Sequence, residues 1–105
     1  MIEPTFDRDG YPTEETLEAI RQWSYCDMSG LMEFVREAWE YSDYVTREGR
    51  KLELHTGGWS GNESLITALQ DNALFWATCW EKSERGGHFW FSLPEALAAI
   101  EEVKA

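Results

Sequence analysis

The sequence predicts an α+β domain: a four-stranded, mainly antiparallel sheet built from two hairpins, with about four helices packed on it. Three observations predict it. Apolar residues recur at the helical period between Thr13 and Glu40. The period falls to two at Tyr44, and helical spacing returns after Leu93. Turn-forming residues at Glu48-Gly49 and again at Lys82-Ser83-Glu84-Arg85-Gly86-Gly87 divide the β-patterned stretches into hairpins. A chain of 105 residues, 43% apolar, has room for one domain with a real core and no second.

Residues 1–12 are expected to form an irregular arm, because Asp9-Gly10 and Pro12 favour turns. Thr13 can cap a first helix whose opening turn carries Glu14 and Glu15, acids suited to the positive helix end. Leu17, Ile20 and Trp23 give this helix its apolar side. A second helix follows Asp27-Met28-Ser29-Gly30. Leu31, Phe34, Val35, Ala38 and Trp39 fall on one side of it, with Glu33, Arg36, Glu37 and Glu40 on the other.

Tyr44-Val45-Thr46-Arg47 and Lys51-Leu52-Glu53-Leu54-His55 then read as paired strands. Leu52 and Leu54 share one face; Lys51, Glu53 and His55 share the other. Thr56-Gly57-Gly58-Trp59 is a glycine turn. Ser60-Gly61-Asn62-Glu63 fits a capping box, Ser60 capping a third helix and Glu63 reaching back to it. Leu65, Ile66 and Leu69 form the buried stripe of that helix, and Asn72 ends it.

Residues 73–81 and 88–93 are rich in aromatic and β-compatible residues and are expected to form the second hairpin. With Lys82 paired to Gly87, Glu81 lies opposite His88, Cys79 opposite Trp90, and Trp80 faces Phe89. Both faces of this hairpin are apolar, which predicts a central, covered position. Ser92-Leu93-Pro94-Glu95 repeats the capping pattern ahead of a last helix with Leu97, Ile100 and Val103 on one side.

The net charge is −11, from 20 acids and 9 bases spread along the whole chain. Without a basic patch to displace counterions, direct binding to a nucleic acid is disfavoured. The acidity serves either solubility or a basic partner. In the second case Glu14, Glu15, Glu18, Glu33, Glu37 and Glu40 form a negative face. The protein then acts as an interaction or inhibitor protein in a basic, nucleic-acid-binding groove of that partner, with Trp or Tyr residues as anchors. Six Trp, four Tyr and five Phe supply core as well as interface, and leave a homo-oligomer open. Cys26 and Cys79 read as two reduced thiols. No signal-like segment opens the chain and no apolar run reaches membrane-spanning length. A cytoplasmic location without a membrane partner is therefore expected.

The segment least like scaffold is His55-Thr56-Gly57-Gly58-Trp59-Ser60-Gly61-Asn62-Glu63: a strand end, a glycine turn and a helix start. That combination presents free backbone N–H groups at the positive end of a helix, while Trp59 can stack on a planar group. A small anionic or nucleotide-like ligand suits it, held by His55, Thr56, Gly57, Gly58, Trp59, Ser60 and Asn62. The pattern is neither the P-loop nor the dinucleotide fingerprint. A second cluster, Arg85-Gly86-Gly87-His88 with Trp90, offers a guanidinium fork, a titratable ring and a stacking surface. Both clusters join a diglycine to a histidine and aromatic neighbours, and the topology allows them to share a sheet edge. Ordinary turns explain the same residues without any ligand. No cofactor and no metal-ligand spacing are expected. Catalysis stays open through His55, His88 and Cys79, but no nucleophile, base and orienting group can be named together, so a non-catalytic binding protein is the main expectation.

Leu52-Glu53-Leu54-His55-Thr56-Gly57-Gly58-Trp59-Ser60-Gly61-Asn62-Glu63, with Leu74-Phe75-Trp76 and Arg85-Gly86-Gly87-His88-Phe89-Trp90-Phe91, resembles segments of small uncharacterised proteins encoded by bacteriophages and prophages. The resemblance covers residues 50–93. It implies a bacterial or phage-infected cytoplasm and an accessory role such as counter-defence, and it carries no catalytic residue with it.

Overall fold

The computed structural model describes residues 3–40 and 44–93. They form helices α1 (Glu14–Arg21), α2 (Met28–Ala38), α3 (Ser60–Asp71) and α4 (Ala73–Cys79), and strands β1 (Val45–Glu48), β2 (Lys51–His55), β3 (Trp80–Glu84) and β4 (His88–Ser92). The strands make one antiparallel sheet in the order β1-β2-β4-β3, so two hairpins are joined through their second strands. This is the expected α+β architecture. The expected last helix, with Leu97, Ile100 and Val103, lies outside the described residues.

The helix starts follow local chemistry. Thr13 caps α1, its hydroxyl accepting from the Thr16 N–H at 3.3 Å. Asp27 caps α2, its carboxylate accepting from the Gly30 N–H at 3.1 Å, and that carboxylate fills the space a side chain at residue 30 would need. The α2 residues Leu31, Phe34, Val35 and Ala38, with Trp39 just beyond, are buried as their spacing requires, and Glu33, Arg36, Glu37 and Glu40 are exposed. The expected capping box at Ser60 is not formed. Trp59 occupies the cap position of α3 without a side-chain bond, and Ser60 is the first helical residue, its hydroxyl donating to the Tyr11 hydroxyl at 3.3 Å.

The largest correction concerns residues 73–79, expected as strand and found as α4. Asn72 ends α3 as predicted and also starts α4, its side-chain carbonyl accepting from the Phe75 N–H at 3.2 Å. That bond turns the chain into a new helix, in which Phe75 and Cys79, one helical turn apart, are buried while Leu74, Ala77 and Thr78 are exposed. The second hairpin is therefore shorter and differently registered. Glu84 pairs with His88, Ser83 with Phe89, Lys82 with Trp90 and Trp80 with Phe91, with a bulge between Trp80 and Lys82. Glu81 is thus not opposite His88, Trp80 does not face Phe89, and Cys79 is not in the strand. The hairpin is not central as a whole either: β4 lies inside the sheet, whereas β3 is an edge strand exposed at all five residues.

The first hairpin matches its pattern. Leu52 and Leu54 are buried on one face, and their partners Phe91 and Phe89 lie on the same face. Against it pack Ile20 of α1, Leu31 and Val35 of α2, Leu65 and Leu69 of α3, and Phe75 of α4 in one continuous core. Among the described residues, no helix is long and apolar enough to cross a membrane.

Both cysteines are free thiols, Cys26 exposed and Cys79 buried. Burial pushes the Cys79 thiol above its ordinary pKa, because the thiolate loses its hydration in the core. Two results are expected. A thiol reagent at neutral pH titrates one cysteine in the folded protein and two after denaturation. Stability attributable to Cys79 is intact below the ordinary thiol range. It falls as pH rises above that range, where the unfolded chain releases the proton and the folded chain retains it.

Candidate functional site

The glycine turn is held by the fold itself. Gly57 and Gly58 both adopt positive φ, 64° and 78°, which lets the chain reverse between β2 and α3. Thr56 is buried. Its N–H donates to the Gly87 carbonyl at 2.9 Å, and its hydroxyl accepts from the Gly58 N–H at 3.3 Å. Asn62 is fully buried, and its amide binds the Glu40 backbone from both ends, accepting from its N–H at 2.9 Å and donating to its carbonyl at 3.0 Å; it also donates to the Thr56 carbonyl at 3.1 Å. Trp59 folds over Gly61, where any side chain would collide with the indole. Its ring is stacked by Tyr11, with centroids 5.1 Å apart and planes 22° apart.

Tyr11 reaches that position because the N-terminal arm is pinned. The Asp7 carboxylate accepts from the Asp9 and Tyr11 N–H groups, and the Thr5 N–H donates to the Thr16 hydroxyl at 2.8 Å. Thr56, Trp59, Ser60 and Asn62 thus spend their polar and aromatic groups on internal contacts.

The two glycine clusters do adjoin. Gly87 lies so close to Thr56 that a side chain at 87 would overlap its hydroxyl, and His55 pairs directly with His88 across β2 and β4. Beside this junction is a groove of about 380 Å³ between α3 and the hairpin tip, lined by Thr56, Glu63, Gln70, Glu84, Arg85 and Gly87 among others. Its charged lining is one guanidinium against two carboxylates, which does not favour an anion.

His55, His88 and Trp90 lie elsewhere, on the sheet face opposite Leu52, Leu54 and Phe91. The two histidines meet there Nδ1 to Nδ1 at 2.7 Å, and the Lys82 ammonium sits over the Trp90 ring at 4.4 Å. Cys79 is in the core, on the other side of the sheet, and its one side-chain contact of hydrogen-bonding kind is with Thr78 at 3.6 Å. The structure therefore does not join Cys79 to either histidine.

A groove of about 760 Å³ lies between α1 and α2. Its apolar floor comprises Ala19, Trp23 and Phe34, the two rings 4.9 Å apart and tilted. The Trp23 indole N–H donates to the Asp27 carbonyl at 2.9 Å, which fixes the ring at the groove. Asp27, Glu33 and Glu37 supply the charged part of its lining. Among the described residues neither Glu33 nor Glu37 has an ion-pair partner, whereas Glu14 and Glu18 are held by Arg21, whose guanidinium pKa is raised chiefly by its hydrogen bond to Glu14.

Comparison with protein-family models, with curated proteins and with solved structures gives no match. The chemistry of the site therefore rests on its own geometry. The ten residues expected to hold a ligand are distributed over three places: the self-contained turn, the hairpin-tip groove and the polar sheet face. The α1–α2 groove was not anticipated as a cavity. A signal for it stands in the sequence: Gly30, Glu33, Phe34 and Glu37 follow the i, i+3, i+4, i+7 spacing, so a small residue, an aromatic ring and two acids share one stripe of α2.

Proposed function

We propose that the protein is a non-catalytic binding protein that captures a cationic partner segment bearing an apolar anchor. The observation that carries this reading is the α1–α2 groove, with an aromatic floor and three carboxylates around it. A purely apolar occupant would desolvate those carboxylates without compensation, and an anion would be repelled. A segment with an apolar residue flanked by Arg or Lys satisfies both parts, and a cation over Trp23 gains further from the ring. The net charge of −11 supports the same partner by steering it inward. Residues 94–105 do not supply the charge, since they hold three Glu against one Lys. The resemblance to phage-encoded proteins accords with an accessory role exercised by binding a host protein.

The test uses a labelled amphipathic peptide, Lys and Arg around Leu or Phe, and measures anisotropy with the full chain. Affinity should fall steeply with added salt, and the double substitution Glu33→Lys, Glu37→Lys should lower it by about tenfold or more. Arg85→Ala should leave it unchanged. Binding indifferent to salt and to charge reversal would overturn the reading. The small-anion reading predicts a different result: thermal stabilisation by a nucleotide or anionic metabolite that is lost in Gly58→Val and Arg85→Ala.

A further inference from the structure

The central strands β2 and β4 set His55 and His88 directly opposite each other, both on the polar face of the sheet. Their Nδ1 atoms are 2.7 Å apart and their rings are inclined at 65°. On the far side of the His55 ring, Nε2 lies 3.3 Å from a carboxylate oxygen of Glu53, two residues earlier on the same strand face. A ring that donates its Nε2–H to a carboxylate presents a bare lone pair at Nδ1. This is the arrangement by which a carboxylate orients a metal-binding histidine and raises its basicity.

We propose that His55 and His88 form a two-histidine site for a divalent transition-metal ion of the Ni²⁺ or Cu²⁺ class. Metal–imidazole bonds are about 2.0–2.1 Å long, so nitrogens at this separation subtend roughly 80–85° at an ion bonded to both. That is close to the right angle between neighbouring ligands in octahedral or square-planar coordination, the geometries of Ni²⁺ and Cu²⁺. A tetrahedral ion such as Zn²⁺ needs the nitrogens about 3.3 Å apart. To bind, His88 moves its proton from Nδ1 to Nε2. Both rings then turn away from the Nδ1–Nδ1 line, so that the two lone pairs aim at one point. No net proton is released when both rings start neutral, and acid opposes binding because protons compete for the same lone pairs.

The described residues contain no cluster of three His, Cys, Asp or Glu arranged around a metal. Two protein ligands therefore leave the other positions to water or to a donor atom of a second molecule. His55 is about one quarter exposed, with side-chain accessibility of 27%, which gives an ion a path to the pair. The Lys82 ammonium is held over Trp90 at 4.4 Å and beside the Glu84 carboxylate at 3.7 Å. Trp90 provides the reporter: its ring centroid is 6.0 Å from that of His55 and 6.3 Å from that of His88, within range for a paramagnetic ion to quench its fluorescence.

The experiment is a Ni²⁺ titration of the full chain near neutral pH, followed by calorimetry and tryptophan fluorescence. One ion should bind per chain and quench part of the emission. His55→Ala and His88→Ala should each weaken binding by at least about tenfold. Glu53→Gln should weaken it by about tenfold, within the range expected for an orienting partner. Trp90→Phe should remove most of the quench and keep the heat. His88→Gln, of similar reach and compatible with the strand, should repeat the loss if the alanine variant is poorly folded. Absence of saturable binding by the wild type, or equal binding by both histidine variants in their folded form, would overturn the site.

Discussion

Phe75→Ala lowers the unfolding free energy by about 3–5 kcal/mol, the cost typical of emptying a buried phenylalanine site. Phe75 is fully buried, and its ring lies 5.2 Å from that of Phe91 on the inner strand β4, where Trp76 also meets Phe91 edge-on at 5.5 Å. The side chain is therefore the link between α4 and the centre of the sheet. Small domains retain about 5–15 kcal/mol in total, so this one truncation consumes a large share of the stability. Urea denaturation should show a lower midpoint with an unchanged slope. Leu74→Ala is the control. Leu74 is 61% exposed, so its removal should shift stability by no more than about 0.5 kcal/mol. Equal losses at the two positions would contradict the helical geometry of 73–79, because only a helix buries Phe75 and Cys79 while turning Leu74 and Ala77 outward.

That segment also marks the limit of what the sequence discloses. The α1, α2 and α3 helices and the first hairpin were legible because each has a long periodic stripe or a strict alternation: Leu31, Phe34, Val35 and Ala38 in one case, Leu52 and Leu54 in the other. Residues 73–79 span fewer than two helical turns, too short for a period to show through a run of Phe, Trp, Thr and Cys that suits a strand equally well. The deciding group was Asn72. Its amide donates to the carbonyls of Ile20 and Trp23 while its carbonyl caps Phe75, so a long-range tie to α1 selects the helix. The register error followed directly, since strand β3 could begin only after Cys79.

The site was legible in its pairs and not in its surfaces. That the glycine clusters adjoin followed from two hairpins sharing a sheet. That Trp59 is occupied did not, because the group that covers it, Tyr11, is 48 positions away in an arm with no periodic signal. The histidine pairing depends on the register of β2 against β4, which joins two different hairpins and which no turn fixes. The α1–α2 groove needed the relative placement of two helices, and crossing geometry is not encoded in either helix alone.

Asn62→Ala lowers stability by about 2–4 kcal/mol, and the loss comes from unmet polar groups more than from lost volume. The wild-type amide makes three hydrogen bonds to backbone, two to Glu40 and one to Thr56. Alanine removes the partner of the part-buried Glu40 N–H and carbonyl, while the buried Thr56 carbonyl keeps only its bond from the Trp59 N–H at 3.2 Å. Asn62→Asp is expected to cost at least as much. It retains an acceptor for the Glu40 N–H but brings a carboxylate against two carbonyls and under an acidic surface. Thermal or urea unfolding measures both changes. The same variants separate scaffold from site. Asn62 ties the chain just beyond the end of α2 to the glycine turn, whereas the proposed groove runs along α2 from Gly30 to Glu37 and along the end of α1 and is not lined by Asn62. Folded Asn62→Ala protein should therefore bind the cationic peptide with wild-type affinity while its unfolding midpoint drops. A variant of unchanged stability would mean that the turn does not depend on this amide. A stable variant that lost peptide binding would place the recognition surface at the turn instead of the α1–α2 groove.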